Sequence, residues 1–212
     1  MGNKQCYIGI CGATRSGKTT LAKNIIQYLK SDDKHLIHLD DFFSYELLYE
    51  HKNNWEIPEV IEWRYLIEDM ENEKYKIKYK KKKYIITEGF LLFKQPIFYN
   101  FNKSIFIYVS KEESKKRRME TKPVTEEYFE NLVWPNYLKN NSHLAKMKRE
   151  KEKKLGEDIL VLDSTKETVE EMTNKAIKFI FNKKDIKRDL KKEQELLDDI
   201  EKQYNELPNL EK

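Results

Sequence analysis

The chain is poor in the residues that staple or punctuate a fold: it has 2 cysteines, 6 glycines, 5 prolines and 3 tryptophans among 212 residues. Cys6 and Cys11 fall on one expected strand, about 16 Å apart and on opposite faces. They cannot bond to each other, since a disulfide needs Cα atoms within about 7 Å. A disulfide framework is thereby excluded, and an intracellular, reducing setting in the cytoplasm is expected. No apolar run approaches the roughly 20 residues of a membrane span, and no signal peptide is visible. The opening Met1-Gly2-Asn3-Lys4 resembles a myristoylation site, but Cys6 stands where Ser or Thr is required, so no membrane anchor is expected. Arginine is also scarce: of 41 cationic residues only six are Arg, and the net charge is +4. That mild excess suits an anionic ligand and does not by itself argue for nucleic acid. What the chain does have is core material, 39% hydrophobic and 12% aromatic residues. A single domain with a small lid or tail is expected.

The most informative stretch is Gly12-Ala13-Thr14-Arg15-Ser16-Gly17-Lys18-Thr19, which fits G-x-x-x-x-G-K-[ST]. Gly12 and Gly17 let the backbone fold back and turn its N–H groups inward as a nest for anions. Lys18 adds a point charge for the β- and γ-phosphates, and the Thr19 hydroxyl can ligate Mg²⁺. The apolar run Gln5–Cys11 before the loop suits a buried parallel strand. Thr20–Lys30 after it carries Leu21, Ala22, Ile25 and Leu29 on one helical face. Strand, loop, helix is the arrangement in which a helix N-terminus meets phosphate.

Five strands are expected, at Gln5–Cys11, His35–Leu39, Tyr84–Thr87, Ser104–Val109 and Asp158–Leu162. Helical stretches separate most of them, which reads as an α/β fold with a five-stranded parallel sheet flanked by helices. Chemistry then belongs at the carboxyl ends of the strands, where the glycine-rich loop, Asp40-Asp41, Glu88 and Asp163 all lie. Ser110 and Glu113 form a capping box that opens a helix bearing Lys115, Lys116, Arg117 and Arg118. A break at Thr121-Lys122-Pro123 follows. Thr125 then caps a helix running toward Lys154, perturbed at Pro135. The basic elements over about 111–127 read as a small helical lid on a phosphate-loop domain spanning 1–182. Lysines and aromatics interleave over 74–83, a possible edge strand or nucleic-acid contact; a solvated edge in a lysine-biased chain is the plainer reading, and no nucleic-acid partner is expected. The charged tail 183–212 spaces Ile186, Leu190, Leu197, Ile200, Tyr204 and Leu207 as an amphipathic helix. It can pack on the domain or pair with a second copy, so a monomer or a homodimer through this helix is expected.

Phosphoryl transfer needs a bound triphosphate, Mg²⁺, a base near the acceptor hydroxyl and positive charge over the transferring group. Asp40, at the end of the second strand and beside the loop if the strands are adjacent, can take the hydroxyl proton or hold Mg²⁺ through water. Asp41 beside it can instead cap a helix. Glu88 follows the apolar run Tyr84-Ile85-Ile86-Thr87, where an acid contacts the metal shell in phosphate-loop enzymes. Arg117 and Arg118 can clamp phosphate or ribose hydroxyls.

With these residues in hand the chain resembles the nicotinamide riboside kinases, and more widely the uridine–cytidine kinases. The likeness is carried by Gly9 to Asn24, Asp40-Asp41-Phe42-Phe43, Asn54-Trp55-Glu56-Ile57-Pro58, Glu88-Gly89-Phe90-Leu91-Leu92-Phe93, Lys116-Arg117-Arg118, Tyr128-Phe129 and Val133-Trp134-Pro135-Asn136-Tyr137-Leu138. It extends from about residue 5 to residue 181. The resemblance implies phosphorylation of the 5′-hydroxyl of nicotinamide riboside by ATP, or GTP, with Mg²⁺. It implies Asp40 as base with Lys18 and Glu88 beside it, and Thr19, Asp40 and Glu88 at the metal. Donor contacts are implied for Gly12 through Thr20, Arg117 and Ser164-Thr165-Lys166. Acceptor contacts are implied for Asp40 through Phe43, for Trp55 and Glu56, which stack the nicotinamide and hold ribose hydroxyls, and for Arg118. The cationic ring agrees with a tryptophan face, which attracts a cation by about 0.5–2 kcal/mol.

Two departures stand out. The chain is shorter between Arg118 and Tyr128 than the animal members, and Thr121–Glu127 offers no counterpart to the second aromatic that closes over the nicotinamide. The tail beyond Asn182 is additional. Three other readings compete. One is a kinase for uridine, cytidine or another nucleoside. Another is a GTP-driven switch, because Asn182-Lys183-Lys184-Asp185 spells N-K-x-D, although it follows a helix and the chain has no D-x-x-G. The third is a non-catalytic nucleotide-binding regulator, against which Lys18, Asp40 and Glu88 argue together.

Overall fold

The computed structural model describes residues 6–29, 34–75, 84–94, 97–150, 159–183 and 186–208. Strand β1 (Cys6–Gly12) leads into α1 (Lys18–Tyr28), then β2 (Lys34–His38), α2 (Tyr45–Glu50), α3 (Trp63–Tyr75) and β3 (Tyr84–Glu88). After β4 (Lys103–Tyr108) come α4 (Lys111–Thr121), α5 (Glu126–Tyr128), α6 (Trp134–Asn141) and α7 (His143–Arg149). The order closes with β5 (Ile159–Asp163), α8 (Val169–Ile180) and α9 (Leu190–Asn205). All five strands pair in parallel in the order β2-β3-β1-β4-β5.

Strand alternation sorts the core into two layers, because successive side chains point to opposite faces. Ile8 and Ile10 join Leu21, Ile25 and Met172 under α1 and α8. Cys11 faces the other way, into an aromatic-rich layer with Phe93, Phe98, Phe106, Phe129 and Trp134. Cys11 is buried in one layer and Cys6 packs against the other. Burial on both faces is why the strands read as unbroken apolar runs.

The strands fall within one residue of their expected bounds, and their order settles whether β2 adjoins β1: it does not, because β3 lies between them. Glu88, rather than Asp40, is thus the acid on the strand neighbouring the loop, with Ile10 and Glu88 in register. Asp40 is brought in by a one-turn 3₁₀ segment, Leu39–Phe42, that follows β2. The helix after the loop begins at Lys18, two residues earlier than its apolar stripe indicates, so Lys18 and Thr19 belong to its first turn.

The second lid helix is broken more than a single proline suggests. Thr125 caps α5 through its hydroxyl on the Tyr128 N–H at 3.1 Å. A π-helical turn, Phe129–Val133, then precedes α6. Pro135 sits in the first turn of α6, where it has no N–H to offer and its ring would collide with a normally placed carbonyl one turn back. The wider turn relieves both problems. At Ser110 half of the expected capping box forms, the hydroxyl accepting from the Glu113 N–H at 3.3 Å. A complete box forms instead at Thr168 and Glu171, heading α8.

Helix α9 lies on α6, α7 and β5. Leu197 and Ile200 are buried within the aromatic-rich layer, and Tyr204 and Leu207 pack against it; Leu190 stays 60% exposed. The helix also serves the outer edge of β5. Glu193 Oε2 accepts from the Val161 N–H at 3.4 Å, while Lys148 and Arg188 donate to the Ile159 carbonyl. Glu193 in turn pairs with Lys148 and Arg188, each at 2.6 Å. Burial would raise the Glu193 carboxyl, but the hydrogen bonds from Arg188 and Lys148 outweigh it and hold the group below its ordinary value. Within the basic run 74–83, Lys74 and Tyr75 end α3 and the remainder lies outside the described residues. Among the described residues, no helix is long and apolar enough to cross a membrane.

Glu193→Ala leaves two largely buried cations uncompensated, and is expected to cost about 3–5 kcal/mol in urea unfolding. A loss under about 1 kcal/mol, the scale of an exposed pair, would show that the apolar stripe alone holds α9. Because the folded value lies below the unfolded one, near 4.3, the stabilisation is complete above that pH and is lost as pH falls through the folded value. The gap between wild type and variant should accordingly narrow in acid.

Candidate functional site

A cleft of about 840 Å³ opens at the carboxyl ends of β1 and β3. Its floor is the loop after β1. Gly12 takes φ 153°, and a Cβ there would come within 2.3 Å of the Ile107 carbonyl, so only glycine permits this approach of β1 to β4. Arg15 and Gly17 also take positive φ, 57° and 98°, which curls the loop around its own centre. The Ala13 carbonyl ties the loop by accepting from the Ser16 N–H at 3.2 Å and from Lys18 Nζ at 2.8 Å. Three buried donors around this curl have no hydrogen-bond partner: Arg15 Nε, Ser16 Oγ and Arg118 Nε. Buried donors are normally paired, and Arg15 and Arg118, which both line the cleft, suit an anion with several acceptor oxygens.

The acidic side is assembled by the strand ends. Glu88, 6% exposed, accepts from Thr19 Oγ1 at 2.8 Å and lies 2.8 Å from His38 Nδ1, both on Oε1. Gly89 follows, and a Cβ on it would meet the Leu39 side chain at 2.4 Å. That missing side chain lets the 3₁₀ turn settle against the end of β3, with Asp40 on the cleft wall. Burial raises the Asp40 carboxyl above its ordinary value and Glu88 adds to this, with Lys18, His38 and Lys122 opposing. Burial likewise raises Glu56, opposed chiefly by Arg118. Two acids of raised basicity therefore face one another's cations across a single cleft.

An aromatic wall continues outward. Phe43 lies 5.0 Å from Trp55 and 6.4 Å from Phe90, centroid to centroid, and Tyr45 lies edge-on to Trp55 at 6.2 Å. Trp55 keeps 38% of its surface exposed. Its loop is held in an uncommon shape, with Lys52 and Asn53 at φ 54° and 57°. The Asn53 N–H reaches the Leu48 carbonyl at 2.7 Å, and Asn54 Oδ1 accepts from the Glu56 N–H at 3.0 Å. The neck of the loop is closed by a bridge between Phe43 and Ile61 and by Ser44 N–H on the Val60 carbonyl at 3.0 Å. Strained backbone of this kind persists only where its surroundings fix it. Tyr128 also lines the cleft.

The lid is tied to the loop. Ser114 Oγ donates to the Thr14 carbonyl at 2.9 Å and Arg118 Nη1 to Thr14 Oγ1 at 3.2 Å. Arg117 is braced by Glu113 at 2.7 Å and donates to the Ser164 carbonyl at 2.8 Å. Thr165 Oγ1 accepts from the Ser110 N–H at 2.9 Å. Lys115 pairs with Glu126 and Glu130, joining α4 to the turn beyond α5.

The structure thus gathers Thr14, Arg15, Gly17, Lys18, Thr19, Thr20, Asp40, Phe43, Trp55, Glu56, Glu88, Arg117 and Arg118 around one cleft. Gly12, Ala13 and Ser16 shape the loop from behind. Ser164, Thr165 and Lys166 stand behind Arg117 and α4 rather than on the wall. Asp41 and Phe42 are not on the wall either. A 3₁₀ turn rotates about 120° per residue, so neighbours of Asp40 point elsewhere; Phe42 packs on the core and Asp41 is exposed. Sequence reasoning passed over His38, which stands at Glu88 behind the wall, and Asn53, Phe90, Glu120, Thr121, Lys122, Val124, Thr125 and Tyr128 on the wall. Phe90 and Tyr128 lay inside quoted motifs, but spacing did not tell which way they point. Asn182 donates no corner to this site: its Oδ1 accepts from Lys103 at the start of β4, the opposite end of the sheet.

No family model matches the chain. Its sequence is 32% identical over 181 residues to nicotinamide riboside kinase 1 from Homo sapiens, covering 77% of this chain and 86% of that one. Among solved structures, a gluconokinase from Sinorhizobium meliloti superposes with a TM-score of 0.54 at 12% identity, covering 84% of this chain and 94% of its own. A thymidylate kinase from Candida albicans gives 0.53 at 15% identity, covering 87% and 94%. At such identities these two structures show the fold, that of the phosphate-loop kinases. The sequence likeness spans most of the human protein, and with it the chain belongs to the nicotinamide riboside kinase family of phosphotransferases.

Proposed function

We propose that this protein transfers the γ-phosphoryl group of ATP to the 5′-hydroxyl of nicotinamide riboside, forming nicotinamide mononucleotide. The carrying observation is the continuity of one cleft from Lys18, Thr19 and Glu88, through Asp40, to the wall of Phe43, Trp55 and Phe90 with Glu56 at its side.

The loop N–H groups and Lys18 hold the β- and γ-phosphates. Arg117 and Arg118, braced on the lid, cover them from above. Among the described residues there is no group of three or more His, Cys, Asp and Glu that could hold a metal. The oxygen donors Thr19 and Glu88, with Asp40 in reach, instead fit Mg²⁺, which keeps several waters and takes its remaining ligands from phosphate. When bound, Mg²⁺ neutralises charge on the transferring group. Asp40 takes the proton of the 5′-hydroxyl, and the rise that burial gives its carboxyl makes it a better base. Trp55 stacks the cationic ring. Glu56 and Arg118, opposite in charge and mutually in reach, hold the ribose hydroxyls. Tyr128 supplies the second aromatic side of the ring site, in place of the residue lacking from Thr121–Glu127. Asn53, an amide on the same wall, favours one second reading, a pyrimidine nucleoside whose base edge it would pair with.

A nucleoside-diphosphate-release assay over nicotinamide riboside, uridine, cytidine and no acceptor, reading ADP with ATP and GDP with GTP, tests the assignment; turnover with uridine exceeding that with nicotinamide riboside would overturn it. Asp40→Ala should lower kcat by at least about 10²-fold, the scale of a lost general base, with ATP affinity by calorimetry largely kept. Trp55→Ala and Tyr128→Ala should each raise KM for nicotinamide riboside more than KM for ATP. Equal changes in both constants would mark these rings as packing alone.

A further inference from the structure

His38 closes β2 and Glu88 closes β3, and the two are partners in register across the parallel ladder. Register places their side chains on the same face of the sheet, and His38 Nδ1 lies 2.8 Å from Glu88 Oε1. The Thr19 hydroxyl donates to that same oxygen, also at 2.8 Å. A carboxylate gripped by two donors on one oxygen has a fixed plane, with Oε2 as the oxygen engaged by neither. The grips differ in kind. Thr19 is itself a candidate metal ligand, so its hydroxyl must answer to the metal as well as to Glu88. His38 has no such second duty, and the strand pairing sets its position before any nucleotide arrives. For this bond the imidazole carries its proton on Nδ1, the tautomer in which it can donate to a carboxylate.

We propose that His38 is a positioning residue of the metal site: it holds the Glu88 carboxylate in the orientation that receives hydrated Mg²⁺ beside Thr19. This inference rests on the phosphoryl-transfer reading and on nothing about which nucleoside is the acceptor. Partners of metal-site carboxylates commonly matter by about 10–100-fold in metal affinity, and an effect in that range is expected here.

The test is Mn²⁺ binding, by electron paramagnetic resonance, to the full chain with ADP and without acceptor, alongside calorimetric ADP affinity in the absence of metal. His38→Ala and His38→Phe both remove the donor, the second keeping a ring of similar bulk, so that one folded variant suffices. His38→Asn keeps an N–H donor at nearly the same place. The expected result is at least about tenfold weaker Mn²⁺ binding in a donor-less variant, metal-free ADP affinity within about twofold of wild type, and recovery in His38→Asn. Unchanged Mn²⁺ affinity in the donor-less variants overturns the inference alone. So does an equal loss of metal-free ADP affinity, which would mean that His38 merely shapes the strand end, and so does failure of the Asn variant to recover. A wild-type protein whose ADP binding is indifferent to Mn²⁺ overturns the phosphoryl-transfer reading, and this inference with it.

Discussion

The site depends on the insertion of β3 between β1 and β2. That pairing sets Ile10 and His38 in register on either side of Glu88. It brings the loop, the Glu88 carboxylate and the turn bearing Asp40 to one end of the sheet without any long loop to aim them. Gly89 is the steric condition for it, since any side chain there would push Leu39, and the 3₁₀ turn with it, away from the strand. Elements on a rigid sheet hold geometry better than loops do. Glu88 stands on a strand end and Asp40 on the turn that directly follows one.

The strands were legible because each is an apolar run buried on both faces and bounded by polar residues. The phosphate loop was legible because its geometry demands glycine and lysine at fixed spacing. Strand order was not, since register across a sheet is settled by residues far apart in the chain; hence adjacency of β2 to β1 stayed an open condition until β3 was seen between them. The same limit hid His38, an unremarkable residue until Glu88 stands beside it. Lys122 was hidden differently. In a chain with 41 cationic residues, nothing local separates a lysine that faces a cleft from one that faces water. The face of Tyr128 follows from the cap at Thr125 and the π-helical turn that begins one residue later, and a repeat of 3.6 cannot anticipate a change of repeat.

Charge was the least transparent feature. The rule that Lys, Glu and Arg stay outside gave no warning that Lys148 and Glu193 are buried at the sheet edge. Nor did it warn that two cationic lid residues, Arg117 and Arg118, donate to the Arg15 carbonyl and the Thr14 hydroxyl of the loop. These residues are inside because each finds a fixed partner, and the partners are supplied by segments far apart in the chain.

Helix α9 has a consequence beyond holding itself down. The strand beneath it reads Ile159-Leu160-Val161-Leu162-Asp163, and all five residues are buried. Such a segment, if laid open, offers bare backbone groups and an apolar surface to any other extended chain, which is how one molecule recruits the next into a growing assembly. By satisfying Val161 and Ile159 from its own side chains and their ionic partners, the terminal helix denies β5 to other chains. Its role is then as much to keep molecules apart as to keep this one together, and a lesion in α9 would announce itself first as loss of solubility.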